Sequence, residues 1–89
     1  MKVENLNGYA NQFLIRDGFQ IAFQSYNSFI AMFNFMDKEY LSLNGDMWDY
    51  SNTTRRHFKS FINEHTSFEY VNKAQWLKEI ENNKNIEVV

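Results

Sequence analysis

Apolar and polar positions alternate with a period of two through the first half of the chain and with a helical period after it. Phe19, Ile21 and Phe23 alternate with Gln20, Ala22 and Gln24, which predicts a strand with one apolar face. "NQFLIR" (11–16) precedes it across Asp17-Gly18, and a two-residue Asp-Gly link between two β-favouring runs predicts a hairpin. Asn7-Gly8 predicts an earlier turn, and Tyr26-Asn27 a bend after the second strand. "SFIAMFNF" (28–35) is nearly continuous in apolar residues, so it predicts a third strand covered on both faces. Asp37-Lys38 predicts a tight turn into a fourth strand, "EYLSL" (39–43), and Asn44-Gly45-Asp46 ends the sheet. Four short strands with no room for a crossover helix between them predict an antiparallel meander.

After Trp48 the period changes. Ser51, Asn52, Thr53 and Thr54 are all competent helix N-caps, and Phe58, Phe61, Ile62 and His65 follow at helical spacing. Thr66-Ser67 interrupts and offers caps for a second helix, with Tyr70, Ala74 and Leu77 on one stripe and Val71, Trp76 and Ile80 beside it. Residues 83–89 predict a frayed tail in which Ile86, Val88 and Val89 offer an edge strand. The expected fold is α+β: a small antiparallel meander of about four strands packed against one or two C-terminal helices. It forms one domain over 1–89, with the sheet in 1–46, helices in 47–82 and the tail in 83–89.

Composition sharpens this in three ways. Aromatics are 18% of the 89 residues, nine of them Phe, which supports a compact core and leaves some rings outside it. The formal charge of −2 lacks the basic excess of a dedicated duplex binder. Cysteine is absent, so disulfides, thiol catalysis and thiolate metal sites are excluded. The N-terminus has no signal-peptide core and the longest apolar run is too short for a bilayer span, so a cytoplasmic protein without membrane contact is expected.

The densest chemistry is "WDYSNTTRRHF" (48–58). As structure, it is a loop leaving the sheet with Trp48 and Tyr50 under the helix that follows. As a nucleic-acid grip, Arg55, Arg56 and Lys59 share the first turns of a helix near Trp48 and Tyr50. As catalysis, Ser51, His57 and Asp49 supply a nucleophile, a base and an orienting carboxylate, but no nucleophile-elbow or phosphate-loop motif accompanies them. His57 and His65 with Glu64 and Glu69 match no recognised metal spacing. A non-enzymatic protein with no cofactor and no metal is expected. Its surplus of aromatics points to protein binding, and nucleic acid is the alternative.

Two segments carry a resemblance. Phe23, Ser25, Tyr26, Ser28, Ile30 and Ala31 follow F-x-S-Y-x-S-x-I-A, and Trp48, Asp49, Tyr50, Ser51, Thr53 and Thr54 follow W-D-Y-S-x-T-T. Over about residues 5–61 the chain resembles a family of small uncharacterised proteins of phages, prophages and plasmids of Gram-positive bacteria. The resemblance brings no catalytic assignment. It implies an accessory protein that binds and blocks a host protein, such as a defence nuclease complex, in the manner of anti-CRISPR proteins, and acts in the host cytoplasm. Its Ser, Tyr and Thr residues would then be structural, with Tyr26 and Trp48 anchoring the joint between sheet and helix. The chain departs from the pattern in its Phe- and Met-rich run 29–36 and in its second helix. The candidate protein-contacting aromatics are Phe33, Phe35, Tyr40 and Trp76, with a homodimer as a further possibility.

Overall fold

The computed structural model describes residues 1–36 and 38–89. Six strands, β1 (Lys2–Asn5), β2 (Gln12–Asp17), β3 (Gln20–Ser25), β4 (Ser28–Asn34), β5 (Tyr40–Leu43) and β6 (Ile86–Val88), form one sheet in sequence order. Neighbours from β1 to β5 are antiparallel, and β6 runs parallel to β5. Two helices, α1 (Asn52–His65) and α2 (Lys73–Asn82), lie between β5 and β6. The fold is α+β, with six strands in place of the expected four. β1 has a single apolar residue, Val3, and β6 is three residues long, so neither shows a detectable period. The parallel pair exists because the two helices supply the crossover that an antiparallel meander lacks.

The predicted β2–β3 hairpin forms one residue later than the Asp-Gly dipeptide suggested. Asp17 pairs with Gln20, so the loop is Gly18-Phe19, and Gly18 takes φ 61, a conformation that costs glycine little. In β4 the period breaks: Phe23 opposes Ala31 while Gln24 opposes Phe29, leaving Ile30 as the extra residue of a bulge. Ile30 and Ala31 are therefore both buried, and the apolar run is continuous for that reason. It is not covered on both faces, because Phe29 is exposed and Met32 half-buried opposite the helices. The expected Asp37-Lys38 turn includes Asp37, which lies outside the described residues.

Leu14, Ile21, Phe23, Ile30, Ala31, Phe33, Leu41, Leu43 and Ile86 face the helices and form one core with Phe58, Phe61, Ile62, Tyr70 and Trp76. Phe61 stacks on Phe23 at 5.6 Å, and Phe58 meets Trp48, Tyr70 and Trp76 at 5.4, 6.0 and 5.7 Å. Leu6, in a 3-10 turn at Leu6–Gly8, is fully buried in the same core.

The second helix begins at Asn72, whose side chain accepts from the Gln75 N–H, rather than at Thr66-Ser67. Thr66 instead closes α1: its hydroxyl donates to the Ile62 carbonyl and accepts from the Phe68 N–H. Residues 68–70 stay outside both helices, where Asn63 clamps the Tyr70 backbone, accepting its N–H at 2.7 Å and donating to its carbonyl at 3.0 Å. On α2 the inward stripe is Trp76 and Ile80, whereas Ala74 and Leu77 face solvent. The tail is ordered into the sheet. Val89 N–H donates to Leu43 and Gly45 N–H to Val89, and a Cβ on Gly45 would stand 2.8 Å from Val88 Cγ1.

Candidate functional site

Ser51 begins α1 in extended conformation, and its Oγ accepts from the Thr54 N–H at 3.1 Å. Of the four competent caps, this is the one used. It leaves the N–H groups of Asn52 and Thr53 without helical acceptors, as a first turn must. The turn before it, closed by Tyr50 N–H on the Met47 carbonyl, sends Trp48 into the core and Tyr50 outward. Tyr50 is 71% exposed, so it does not lie under the helix as expected.

The β3–β4 hairpin reaches the same place from the other side. Ser25 pairs with Ser28, making Tyr26-Asn27 the turn. Tyr26 sits at φ 53, the left-handed region that tyrosine rarely occupies and that costs about 1–3 kcal/mol. Two hydrogen bonds hold it there. Its N–H donates to the Asn11 carbonyl at 2.6 Å, and its carbonyl accepts from Gln24 Nε2 at 2.7 Å. The ring itself is 61% exposed.

Between hairpin tip and helix start lies a cleft of about 520 Å³, lined by Ser25, Tyr26, Ser28, Met47, Tyr50, Ser51, Thr53 and Thr54. Seven of these eight are residues of the two motif segments, 23–31 and 48–54, which are well separated in the chain. The lining is hydroxyl and aromatic with one thioether, and Tyr26 and Tyr50 form its exposed lips. Ser25 and Thr54 are buried at its base. Gln12, paired directly across from Ser25, is also buried, and its Oε1 has no hydrogen-bond partner among the described residues.

The other candidates are placed elsewhere. His57 is buried with its ring edge-on to Tyr9 at 4.6 Å, outside the cleft lining. Asp49 is bound to Arg55 at 2.6 Å and to Lys73 at 2.7 Å, joining the loop, α1 and α2. Ser51, His57 and Asp49 are thus each committed to a different partner. Arg55 also donates to Asn52, so its charge is spent within the fold. Of the proposed basic cluster, Arg56 and Lys59 remain exposed. Phe33 and Trp76 are core residues, exposed 5% and 0%, so neither is available to a partner. Phe35 is exposed beside Phe19, and Tyr40 is half-buried on the sheet face away from the helices. Among the described residues no group of three His, Cys, Asp or Glu side chains stands close enough to hold a metal, and no helix is long and apolar enough to cross a membrane.

From neutral pH downward, the ionisable groups make stability fall with acidification. Burial holds the His57 imidazole below its ordinary 6.5, helped by Arg56. Burial likewise lowers His65, with Arg16 adding to it and Glu64 and Glu4 opposing. For Asp49 burial opposes ionisation, but hydrogen bonds from Lys73 and Arg55 outweigh it and hold the carboxyl below its ordinary 3.8. A depressed pKa in the folded state means that the unfolded chain takes up protons first. The histidines' contribution is therefore complete above pH 6.5 and lost as pH falls through their folded values, and the aspartate's follows below 3.8. Thermal melts are expected to hold level from pH 8 to 7 and to drop steadily on acidification to pH 5. A melting temperature that rises over that interval would contradict the assignment.

Together, fold and cleft define a small α+β domain with a hydroxyl-lined cleft at one end of its helical layer. The chain belongs to a family of unknown function, DUF8033, which matches residues 1–78 and so includes the whole cleft. No match was found among curated proteins or among solved structures.

Proposed function

We propose that the protein is a non-enzymatic protein-binding accessory that grips a segment of its partner in the cleft between Tyr26 and Tyr50. The observation that carries this reading is the meeting of the two motif segments on one cleft, with a strained tyrosine at its lip. Strain is retained where the surrounding structure enforces it, and such positions gather at ligand clamps. Tyrosine offers a large, amphipathic contact at low entropic cost. The hydroxyls and the free first-turn N–H groups suit the carbonyls and amides of a peptide segment, each bond worth about 0.5–1.5 kcal/mol net. The volume is in the usual range of binding pockets.

The finer identity is part of the same proposal. The resemblance of the two motifs to proteins of phages, prophages and plasmids supports an origin in a mobile element, action in the cytoplasm of a Gram-positive host, and an anti-CRISPR-like partner such as a host defence nuclease complex. The pairing of Arg55 with Asp49 leaves the nucleic-acid alternative with a smaller basic footprint, Arg56 and Lys59.

The test is a pull-down with the tagged full chain from lysate of such a host, with and without nuclease treatment, using wild type, Tyr50→Ala and Leu77→Ala. Tyr50 projects into solvent, so its loss is expected to leave stability within about 0.5 kcal/mol and to weaken capture about tenfold. Leu77, exposed on α2, is the control. A protein retained after nuclease treatment by wild type and by Leu77→Ala, but not by Tyr50→Ala, supports the reading. Equal capture by Tyr50→Ala, or capture that nuclease abolishes, overturns it.

A further inference from the structure

The sheet has a second face that the helices do not touch. Along each strand the side chains alternate, so the positions between the buried ones point to that face. The strand registers line them up. Val3 pairs with Ile15, Ile15 with Ala22, and Ala22 with Met32, making one apolar row across four strands. Beside it, Phe13 and Phe29 flank Gln24, which pairs with both. Among the described residues, the buried side chains of both helices pack on the other face and not on these six. A sheet face meant for water would carry polar side chains there.

Charge is absent from the middle of this face. Among the described strand residues, the charged side chains pointing to it are Asp17, at the end of β2, and Glu87, on the edge strand β6. The rest are amides and hydroxyls. An apolar, uncharged centre within a polar rim is the composition of a protein interface.

We propose that this face is the interface of a two-fold homodimer, in which a second copy of the chain packs sheet against sheet. Three features favour a second copy over a different partner. A face without central charge meets itself without like-charge repulsion, whereas it offers a charged partner nothing to pair with. Ala22 leaves a dimple directly beside the bulky Met32, and a two-fold axis between them sets each Met32 into the other copy's dimple. The size suits a concentration-dependent dimer. Six strands about 4.8 Å apart and some 17 Å long give a plan area of about 500 Å² per copy, below the ~800 Å² per partner of a standard interface and in the class of weaker, reversible associations. The cleft lies in the helical layer, so a dimer built this way carries two open clefts on its outer sides and gains avidity for a partner that repeats its motif.

The test is sedimentation velocity of the full chain from low to high micromolar concentration, with circular dichroism as the check on folding. Wild type is expected to move from 10.7 kDa to twice that mass as concentration rises. Met32→Lys is expected to keep the wild-type spectrum and to raise the dissociation constant at least a hundredfold, because the dimer would bury its ammonium against apolar surface. Leu77→Lys, on the outside of α2, is expected to dimerise as wild type. A wild type that stays monomeric throughout overturns the proposal, as does a Met32→Lys that dimerises normally. Should Met32→Lys fail to fold, a mixed-isotope wild-type sample decides through nuclear Overhauser contacts between the Met32 methyl and the methyls of Ala22 and Ile15 in the other copy. Their presence supports the interface, and a dimer without them overturns it.

Discussion

Phe58→Ala is expected to cost about 3–5 kcal/mol of folding free energy, the range for removing a buried phenylalanine. Phe58 is fully buried and is the ring on which the helical layer is assembled, touching Trp48 from the loop, Tyr70 from the link between the helices and Trp76 from α2. All three neighbours are large and flat, and Tyr70 and Trp76 also pack on each other at 5.6 Å, so they cannot collapse into the space without leaving their own contacts. The loss is therefore the transfer term plus most of a cavity term. A domain of this size has about 5–15 kcal/mol in total, so the variant stands near its unfolding threshold at 37 °C. Urea titration is the measurement: the midpoint should fall steeply at unchanged slope. The adjacent Lys59→Ala, exposed on the same helix, should stay within about 0.5 kcal/mol of wild type. A loss under about 1 kcal/mol at Phe58 would mean that the ring cluster is not the centre of the core.

The same cluster explains why Trp76 does not act as a surface residue. Its position on α2 is the one that faces the sheet, and Tyr70, clamped by Asn63, packs on it at 5.6 Å. The helical stripe Tyr70–Ala74–Leu77 requires a helix that begins just after Thr66-Ser67. Asn63 prevents that from a distance of seven residues, using its amide as a strand edge would. Nothing in the local pattern announces such a clamp. Phe68 and Tyr70 alternate with Glu69 and Val71, a weak extended signal that only the Phe68–Phe33 and Tyr70–Phe58 contacts make decisive.

Where local chemistry decides, the sequence was a sufficient guide. The alternation in β3, the Gly18 turn, the Asn7-Gly8 turn and the Ser51 cap each depend on a few neighbouring residues, and each is in the structure. Features set by distant parts of the chain were not legible. β1 owes its existence to the edge it joins, the edge strand offered at Ile86–Val88 gives no sign of its parallel pairing with β5, and the bulge at Ile30 hides a normal alternation inside an apolar run. The cleft falls between these cases. Its residues stand out as motif residues, but their common role needs the hairpin tip to return beside the start of α1, some 25 residues later. Read singly, each serine or threonine is a cap or a turn residue, and Ser51 is one.

Tyr26→Gly separates a structural role of the ring from a binding role, because the first predicts lost stability and the second predicts lost binding at undiminished stability. For the turn itself, glycine is the better residue for φ 53 and relieves about 1–2 kcal/mol of left-handed strain. Part of that gain is returned as the greater unfolded-state freedom of glycine, about 0.5–1 kcal/mol. The bonds that fix the turn use the backbone N–H and carbonyl of residue 26, which glycine keeps. The ring is mostly exposed, so little burial is lost. Stability is therefore expected to stay level or rise by up to about 1 kcal/mol. Partner binding is expected to fall at least about thirtyfold, since a backbone pinned by two hydrogen bonds aims the ring at the cleft with only its side-chain torsions left to order. Melting and partner-capture measurements on one preparation read both quantities. A destabilised Tyr26→Gly would make the ring a structural prop. A stable variant with undiminished binding would remove Tyr26 from the site and leave its strain without a function. Raised stability with lost binding is the outcome that ties the left-handed tyrosine to the work of the cleft.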